Sequence, residues 1–194
     1  MKYKQILFIL VFFCCIQGVA QAKYEREHRI KKSQFPEKAH TLIANEITKV
    51  KRLRYYKETD SVKTSFEAKF KKDRLHYGME FDEDGILEDV EILIKEIDVP
   101  NDTFTSIKNY LNRSYTKYQI RKILQQYPVK KTEEIKKTLK EAFQNLLLPT
   151  VNYKLIVSCK TEDGSVDFEF LFDSTGTFKK KRALLPPNYD HVLY

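Results

Sequence analysis

The chain has 194 residues, of which 35 are lysine or arginine and 27 are aspartate or glutamate, so its formal net charge is +8. This length suffices for one sizeable domain or two small domains that share an interface, and 13% aromatic residues supply bulky core material without any tryptophan. The basic excess is spread along the sequence and no nucleic-acid-binding motif accompanies it, which argues against nucleic acid as a partner.

The first 22 residues have the pattern of an export signal. Lys2 and Lys4 precede an unbroken apolar run from Ile6 to Ile16, and 20–22 has the small-x-small form of a cleavage site. The apolar run is shorter than the about 20 residues that a membrane-spanning helix needs. We therefore expect a signal peptide at 1–22 and a periplasmic or secreted mature chain that begins at Lys23 and has no transmembrane segment.

Removal of the signal leaves Cys159 as the only cysteine of the mature chain, so no intramolecular disulfide can form. It also removes two lysines, which leaves 33 basic and 27 acidic residues and a formal charge of +6. This mild excess favours a protein or an anionic envelope component as the partner, although a well-solvated surface is the plainer explanation.

The mature chain begins with residues 23–34, which are almost wholly polar and predict a loose charged arm. Pro36 then opens an amphipathic helix, indicated by apolar residues at helical spacing: Ala39, Leu42, Ile43, Ile47 and Val50. Four strand-like stretches follow and predict an antiparallel meander: 52–57, 63–70, 74–81 and 86–97. One face of this meander should pack on the helix, and we expect the other to meet water with Glu67, Lys69, His76 and Glu80.

A second set of elements follows Pro100. Residues 101–103 offer several N-caps for a helix with Phe104, Ile107 and Leu111 on one side, and Thr132 should cap another helix over 132–147. The segment 118–128 has both helical spacing and the position of a strand, and we favour the strand. Three further stretches predict strands: 151–160, 165–172 and 177–185.

One passage is written twice. The sequence YGMEFDEDGILEDVEILI at 77–94 returns 91 positions later as FEFLFDSTGTFKKKRALL, with Phe81, Asp82 and Gly85 matching Phe172, Asp173 and Gly176. A strand, an Asp-x-x-Gly turn and a second strand are typical of a β-hairpin.

We therefore expect an α+β fold of two tandem units, at 35–99 and 100–185, each a helix packed on an antiparallel meander of about four strands. An extra helix is inserted in the second unit, and 186–194 form a C-terminal tail. This organisation resembles the PepSY-like proteins of the bacterial envelope, including the group similar to β-lactamase-inhibitor protein. The resemblance rests on the following residues of the two units: Tyr77, Phe81, Asp82, Asp84 and Gly85 in the first, and Phe168, Phe172, Asp173 and Gly176 in the second. It implies a secreted or periplasmic protein that binds or inhibits other proteins.

The sequence offers no catalytic, cofactor or metal site. The run 82–85 lacks the glycine and glutamate positions of a calcium-binding EF-hand loop, and the four histidines show no zinc-ligand spacing. Cys159 continues an apolar strand face and should be a small buried hydrophobe.

The best candidate contact surface is a basic, aromatic strand that contains Arg52, Arg54, Tyr55 and Tyr56, because arginine and tyrosine carry much of the binding energy in protein interfaces. An ordinary edge strand protected by charge is the alternative. We accordingly predict a non-enzymatic exported binding module that needs no cofactor. A periplasmic inhibitor, chaperone or assembly factor that acts on a specific enzyme is the alternative function.

Overall fold

A computed structural model describes residues 22–23, 26–59, 63–162 and 164–184. Over these ranges the chain forms one ten-stranded sheet, in which strands β2 to β10 are antiparallel neighbours in chain order and the short β1 pairs in parallel with β10. The strands are β1 Ala22–Lys23, β2 Arg26–Ile30, β3 Lys51–Thr59, β4 Thr64–Lys72, β5 Leu75–Phe81, β6 Leu87–Ile94, β7 Tyr118–Pro128, β8 Asn152–Thr161, β9 Gly164–Asp173 and β10 Phe178–Leu184. The predicted α+β class is confirmed. The predictions for 1–22 and 186–194 lie outside the described residues, apart from Ala22.

Three helices lie between these strands: α1 Glu37–Glu46, α2 Asn101–Ser114 and α3 Ile135–Phe143. All three pack on the same side of the sheet, where alternate residues of each strand are apolar. The ring of Phe143 in α3 contacts Phe70 and Tyr77, and the ring of Tyr110 in α2 contacts Phe170 and Phe172. We call the opposite side of the sheet, which carries Glu67, Gly78, Glu91, Gln126 and Lys154, the open face. No helix of the described residues packs against it.

The prediction of a loose arm at 23–34 is wrong for residues 26–30. They form β2, which pairs with β3 from Arg26 opposite Thr59 to Ile30 opposite Tyr55. Glu27 of this segment pairs with the sheet, since Lys69 Nζ lies 2.5 Å from Glu27 Oε1, and Ile30 packs against the core. A largely polar strand is therefore held by backbone pairing, one ion pair and one apolar residue. Because β2 pairs with residues 55–59 of β3, the alternative interpretation as an edge strand is wrong for Tyr55 and Tyr56, whereas Arg52 and Arg54 lie beyond the last pair.

The segment 118–128 is a strand, as favoured from its position in the sequence. Ile123 and Tyr127 are buried on the helix-covered side, whereas Leu124 pairs with Lys154 on the open face. The apparent helical spacing therefore arose from residues that point to opposite sides of one strand.

The predicted helix caps are not formed. Thr132 lies in a 3-10 turn, Thr132–Glu134, and α3 begins after it at Ile135. Pro100 occupies the N-cap of α2 without a side-chain cap, and the hydroxyl of Thr103 instead donates a hydrogen bond to the carbonyl of Ser174, 2.8 Å away. The polar residue at this helix start thus fastens α2 to the turn between β9 and β10.

The two hairpins formed by the repeated passage also share their backbone geometry. Asp82 Oδ1 accepts the N–H of Ile86 at 2.8 Å, as Asp173 Oδ1 accepts that of Thr177 at 3.0 Å. The turn glycines of the two hairpins have φ values of +78° and +82°. Each pairing also shifts register at the second residue of its return strand.

The approach to the first helix of each predicted unit is also alike, a similarity that the hairpin comparison alone did not reveal. The N–H of Lys31 donates to Gln34 Oε1 at 2.9 Å, and 64 residues later the N–H of Lys95 donates to Asp98 Oδ2 at 2.8 Å. Two residues on, a proline forms the helix N-cap in both places. Each helix start lies against the turn of a hairpin: a Cβ on Gly85 would lie 2.9 Å from Pro36 Cβ, and a Cβ on Gly176 would lie 2.4 Å from the carbonyl oxygen of Thr103.

Candidate functional site: the open face of the sheet

The open face carries rows of charged residues that the helix-covered side lacks. The strand alternation that buries Met79 and Ile92 under the helices turns Glu80 and Glu91 to the opposite side. We expected such residues to be fully hydrated. Several of them are instead largely buried and paired with one another.

Lys154 of β8 and Glu91 of β6 form an ion pair that spans the intervening strand β7. Each side chain is only 11% exposed. Burial alone would lower the pKa of Lys154, but the charges of Glu91, Asp89 and Glu169 raise it well above its usual value. The ammonium group is therefore held as a cation in the middle of the face.

A second charged group surrounds Lys69 of β4. Its Nζ atom lies 2.5 Å from Glu27 Oε1 and 3.0 Å from Glu67 Oε2, and it stands over the ring of Tyr56, 4.6 Å from the centroid. The carboxylate of Glu67 fits into a gap in β5 that only glycine provides, because a Cβ on Gly78 would lie 2.4 Å from Glu67 Oε1. The absence of a side chain at residue 78 thus shapes this part of the face.

The environment of Glu67 raises the pH at which its carboxyl group ionises. Burial raises the pKa of Glu67 to about 7, with Glu27 and Glu91 adding to the effect and Lys69 opposing it. A carboxyl group with such a pKa changes charge between mildly acidic and neutral conditions.

A chain of hydrogen bonds crosses the next part of the face. Lys179 Nζ donates to Asn152 Oδ1 at 2.8 Å, Asn152 Nδ2 donates to Gln126 Oε1 at 3.0 Å, and Gln126 Nε2 donates to Asp89 Oδ2 at 2.7 Å. These side chains come from β10, β8, β7 and β6, so they fix one another across the sheet. Burial, Glu91 and Glu80 together raise the pKa of Asp89 well above its usual value.

Two acidic groups on this side have the spacing of metal ligands. The oxygens of Glu27, Glu58 and Glu67 lie within 4.8 Å of one another, as do those of a second group. That second group consists of Glu80, Asp89 and Glu91. Lysine ammonium groups already contact both sets, at Lys69 and at Lys154. These lysines supply the countercharge that a metal cation would bring.

The four residues predicted as a contact surface do not share one face. Tyr56 lies on the open face under Lys69, and Arg54 lies opposite Lys69 in the β3–β4 pairing. Tyr55 lies on the other side, where its ring packs on Phe35 at 4.6 Å between centroids. Arg52 is exposed at an irregularity of β3 between residues 51 and 54. Both tyrosines are buried, at 8% exposure for Tyr55 and 6% for Tyr56. Partner binding through Arg52, Arg54, Tyr55 and Tyr56 stays a prediction.

Cys159 is fully buried on the helix-covered side, as predicted. Burial raises the pKa of its thiol to about 11, so the thiolate needed for nucleophilic chemistry is disfavoured at neutral pH. Of the histidines, His191 lies outside the described residues, and His28 is exposed on β2.

Sequence reasoning missed the pair Glu91 and Lys154. Charged residues at every second position of a strand are typical of a solvent-exposed face. An ion pair between strands that are not neighbours leaves no pattern in the local sequence. The pair could have been predicted from single charged residues that interrupt otherwise apolar strands. Glu91 lies between Val90 and Ile92, and Lys154 lies between Tyr153 and Leu155.

Comparison with known proteins identifies solved structures that are similar to this chain. No protein-family model matches the chain, and no curated protein matches it. A solved DUF2874 family protein from Bacteroides uniformis has 11% sequence identity and a TM-score of 0.52, and the match covers 76% of this chain and 88% of that chain. A Bacteroides eggerthii protein, provisionally described as periplasmic, has 9% identity and a TM-score of 0.52 over 77% of this chain and 88% of that chain.

A BLIP-like protein from Bacteroides fragilis has 11% identity and a TM-score of 0.49, and the match covers 81% of this chain and 92% of that chain. The likenesses to the Bacteroides uniformis and Bacteroides eggerthii proteins show that the chain shares the fold of those two proteins. Within the described residues, no helix is long and apolar enough to cross a membrane.

Proposed function

We propose that the chain is an exported, non-enzymatic binding module of the periplasm, which recognises a protein or envelope partner through its open face. One observation carries the proposal: the open face holds charged side chains that are about nine-tenths buried and locked in pairs, at Lys154 with Glu91 and at Lys69 with Glu27 and Glu67.

A face that serves only solubility does not need this arrangement. Removing a charge from water costs several kcal/mol, and apolar residues of similar size are often no less stable than a buried ion pair. Charged groups held in fixed positions are, however, well suited to select a partner with complementary charges, because they need not be reordered on binding. The cost in stability is therefore explained if the face is a recognition surface.

Two further features support the proposal. The export-signal pattern at 1–22 and the shared fold with a Bacteroides protein provisionally described as periplasmic both favour action in the periplasm. The paired hairpins and helix starts favour two tandem units of the PepSY-like kind, joined side by side through β6 and β7 into one broad face.

A narrower function is that of an inhibitor, chaperone or assembly factor for one periplasmic enzyme. The hydrogen-bonded network from Lys179 to Asp89 favours it, since polar groups that hold one another in place suit one partner better than many. Activity of the captured partner, measured with and without the mature chain, separates this function from simple binding.

The test is retention of envelope proteins on the immobilised mature chain. The double variant Lys154→Met/Glu91→Met removes the central ion pair and should lose a partner that the parent retains. The matched control is Lys137→Met/Glu141→Met, which removes an ion pair with a lysine 74% exposed on helix α3. Equal retention by all three proteins, with all three folded, would refute a role for the open face.

A further inference from the structure

A cluster of cations lies at the end of the sheet where β3 begins and β4 turns into β5. They line a cavity of about 420 Å³ whose walls consist of Lys49, Lys51, Arg52, Lys71, Asp73 and Arg74. We call this site the basic notch. Five of its six residues are cationic, whereas the ion pairs of the open face balance acids against bases.

These five cations have no acidic partner among the described residues. The one carboxylate of the notch, that of Asp73, lies 2.6 Å from Lys72 Nζ instead. Lys51 and Lys71 are directly opposite each other in the β3–β4 pairing, an arrangement that destabilises a sheet by like-charge repulsion. Neighbouring His76 reflects the resulting field: burial lowers its pKa, and the charges of Lys71 and Arg52 lower it further.

The backbone at the two arginines is of a kind that usually requires glycine. Arg74 has φ +71° and follows Asp73 at φ +47° in the two-residue turn of a hairpin, where glycine is preferred at the second position. Arg52 has φ +59° at the irregularity of β3, where a bulge also favours glycine.

Such strain is concentrated here. Of the five non-glycine residues with positive φ in the described chain, four line the notch, namely Lys49, Arg52, Asp73 and Arg74. Residues held in unfavourable backbone conformations cluster where function requires their side chains. Both arginines therefore occupy backbone positions at which glycine would be less strained, and both line the same cavity.

We propose that the basic notch binds a phosphate-bearing anion with two or more negative charges, such as a diphosphate or a phosphomonoester. The guanidinium groups of Arg52 and Arg74 would each bind phosphate oxygens through paired N–H donors, and the lysines would neutralise the remaining charge. The phosphate could belong to a soluble compound or to the headgroup of an envelope lipid. This inference goes beyond the proposed function, because the notch should bind its ligand in the absence of any protein partner.

The test uses isothermal titration of the mature chain with inorganic pyrophosphate. The parent should bind pyrophosphate with an affinity that falls as salt concentration rises. The variant Arg52→Gly/Arg74→Gly should lose at least about tenfold in affinity, as expected when two charge-assisted contacts to phosphate are removed. Its melting temperature should equal or exceed that of the parent, because glycine relieves the strain at both positions. A purely structural role for these arginines would not produce higher stability together with weaker binding.

The matched control is Lys130→Gly/Lys131→Gly, which removes the same charge from an exposed loop and should leave pyrophosphate affinity unchanged. Sedimentation with phosphatidylcholine vesicles containing phosphatidic acid identifies the source of the phosphate. Binding to those vesicles that is lost in the arginine variant indicates a lipid headgroup, whereas binding to pyrophosphate alone indicates a soluble ligand. The proposal is overturned if the parent binds neither probe, or if the control variant loses as much affinity as the arginine variant.

Discussion

The hairpin of β5 and β6 and the hairpin of β9 and β10 match on one side of the sheet and differ on the other. On the helix-covered side, Phe81 and Phe172 are both fully buried. On the open face, Glu91 of the first hairpin is replaced 91 residues later by Arg182. Gly78, whose missing side chain makes room for Glu67, is likewise replaced by Glu169, which Arg182 contacts at 2.6 Å.

This difference distinguishes the residues that build the shared core from the residues of the proposed recognition surface. Both hairpins must supply rings to the core and a glycine turn against a helix, and they do so with the same residue types in the same register. Nothing in the core dictates the charges opposite, and there the return strand of the first hairpin carries Asp89 and Glu91 while that of the second carries Lys180 and Arg182. The proposed recognition surface is thus the part of the molecule in which the two hairpins differ.

The largest effects should follow from changes in the shared core. Phe81→Ala and Phe172→Ala should each lower the free energy of unfolding by about 3–5 kcal/mol, because each leaves a cavity the size of a ring. Denaturant unfolding of the two variants is the measurement. A large loss for one variant and none for the other would show that the hairpins are not equivalent in the core.

A comparable effect is expected where the open face buries charge. Lys154→Ala should lower the free energy of unfolding by about 3 kcal/mol, since it leaves Glu91 buried without its partner. The double variant Lys154→Met/Glu91→Met should recover most of this loss, because no uncompensated charge remains. A double-mutant cycle in urea measures both values. If the single variant is as stable as the parent, the pair is not buried as described.

Stability should also depend on pH through Glu67. Its folded-state pKa is raised by burial from 4.5 to about 7, so the folded protein holds this proton more tightly than the unfolded chain does. The free energy of unfolding should therefore decline as the pH rises from about 4.5 to about 7, by at most about 3 kcal/mol. Glu67→Gln should flatten this decline. An unchanged pH profile in the variant would assign the titration to another group.

The smallest of these effects should arise at the turn glycines. Gly176→Ala should destabilise more than Gly85→Ala, because the new Cβ would lie 2.4 Å from the carbonyl oxygen of Thr103, against 2.9 Å from the nearest atom at Gly85. Each substitution also places alanine at positive φ, at a cost of about 1–2 kcal/mol. Equal losses at Gly85 and Gly176 would mean that the closer approach of α2 to Gly176 contributes nothing.

The sequence predicted the helices, nearly all strands and the repeated hairpin, because these depend on local periodicity and on Asp and Gly at fixed turn positions. It failed at 26–30, where a polar segment becomes a strand by pairing with β3 and by the ion pair between Glu27 and Lys69 of β4. It also failed to group Glu91 with Lys154, since that contact depends on the order of three strands. Tyr55 was separated from Tyr56 by strand alternation alone, and this separation could have been predicted.

The most direct test of the central claim is site-specific photocrosslinking in envelope extracts. A photoreactive residue would replace either Arg54 or Ile156 on the open face, or either Lys108 or Lys137 on the exposed sides of the helices. We predict that both open-face positions give the same covalent adduct and that neither helix position gives it. Adducts from the helix positions alone, or equal adducts from all four positions, would contradict recognition through the open face.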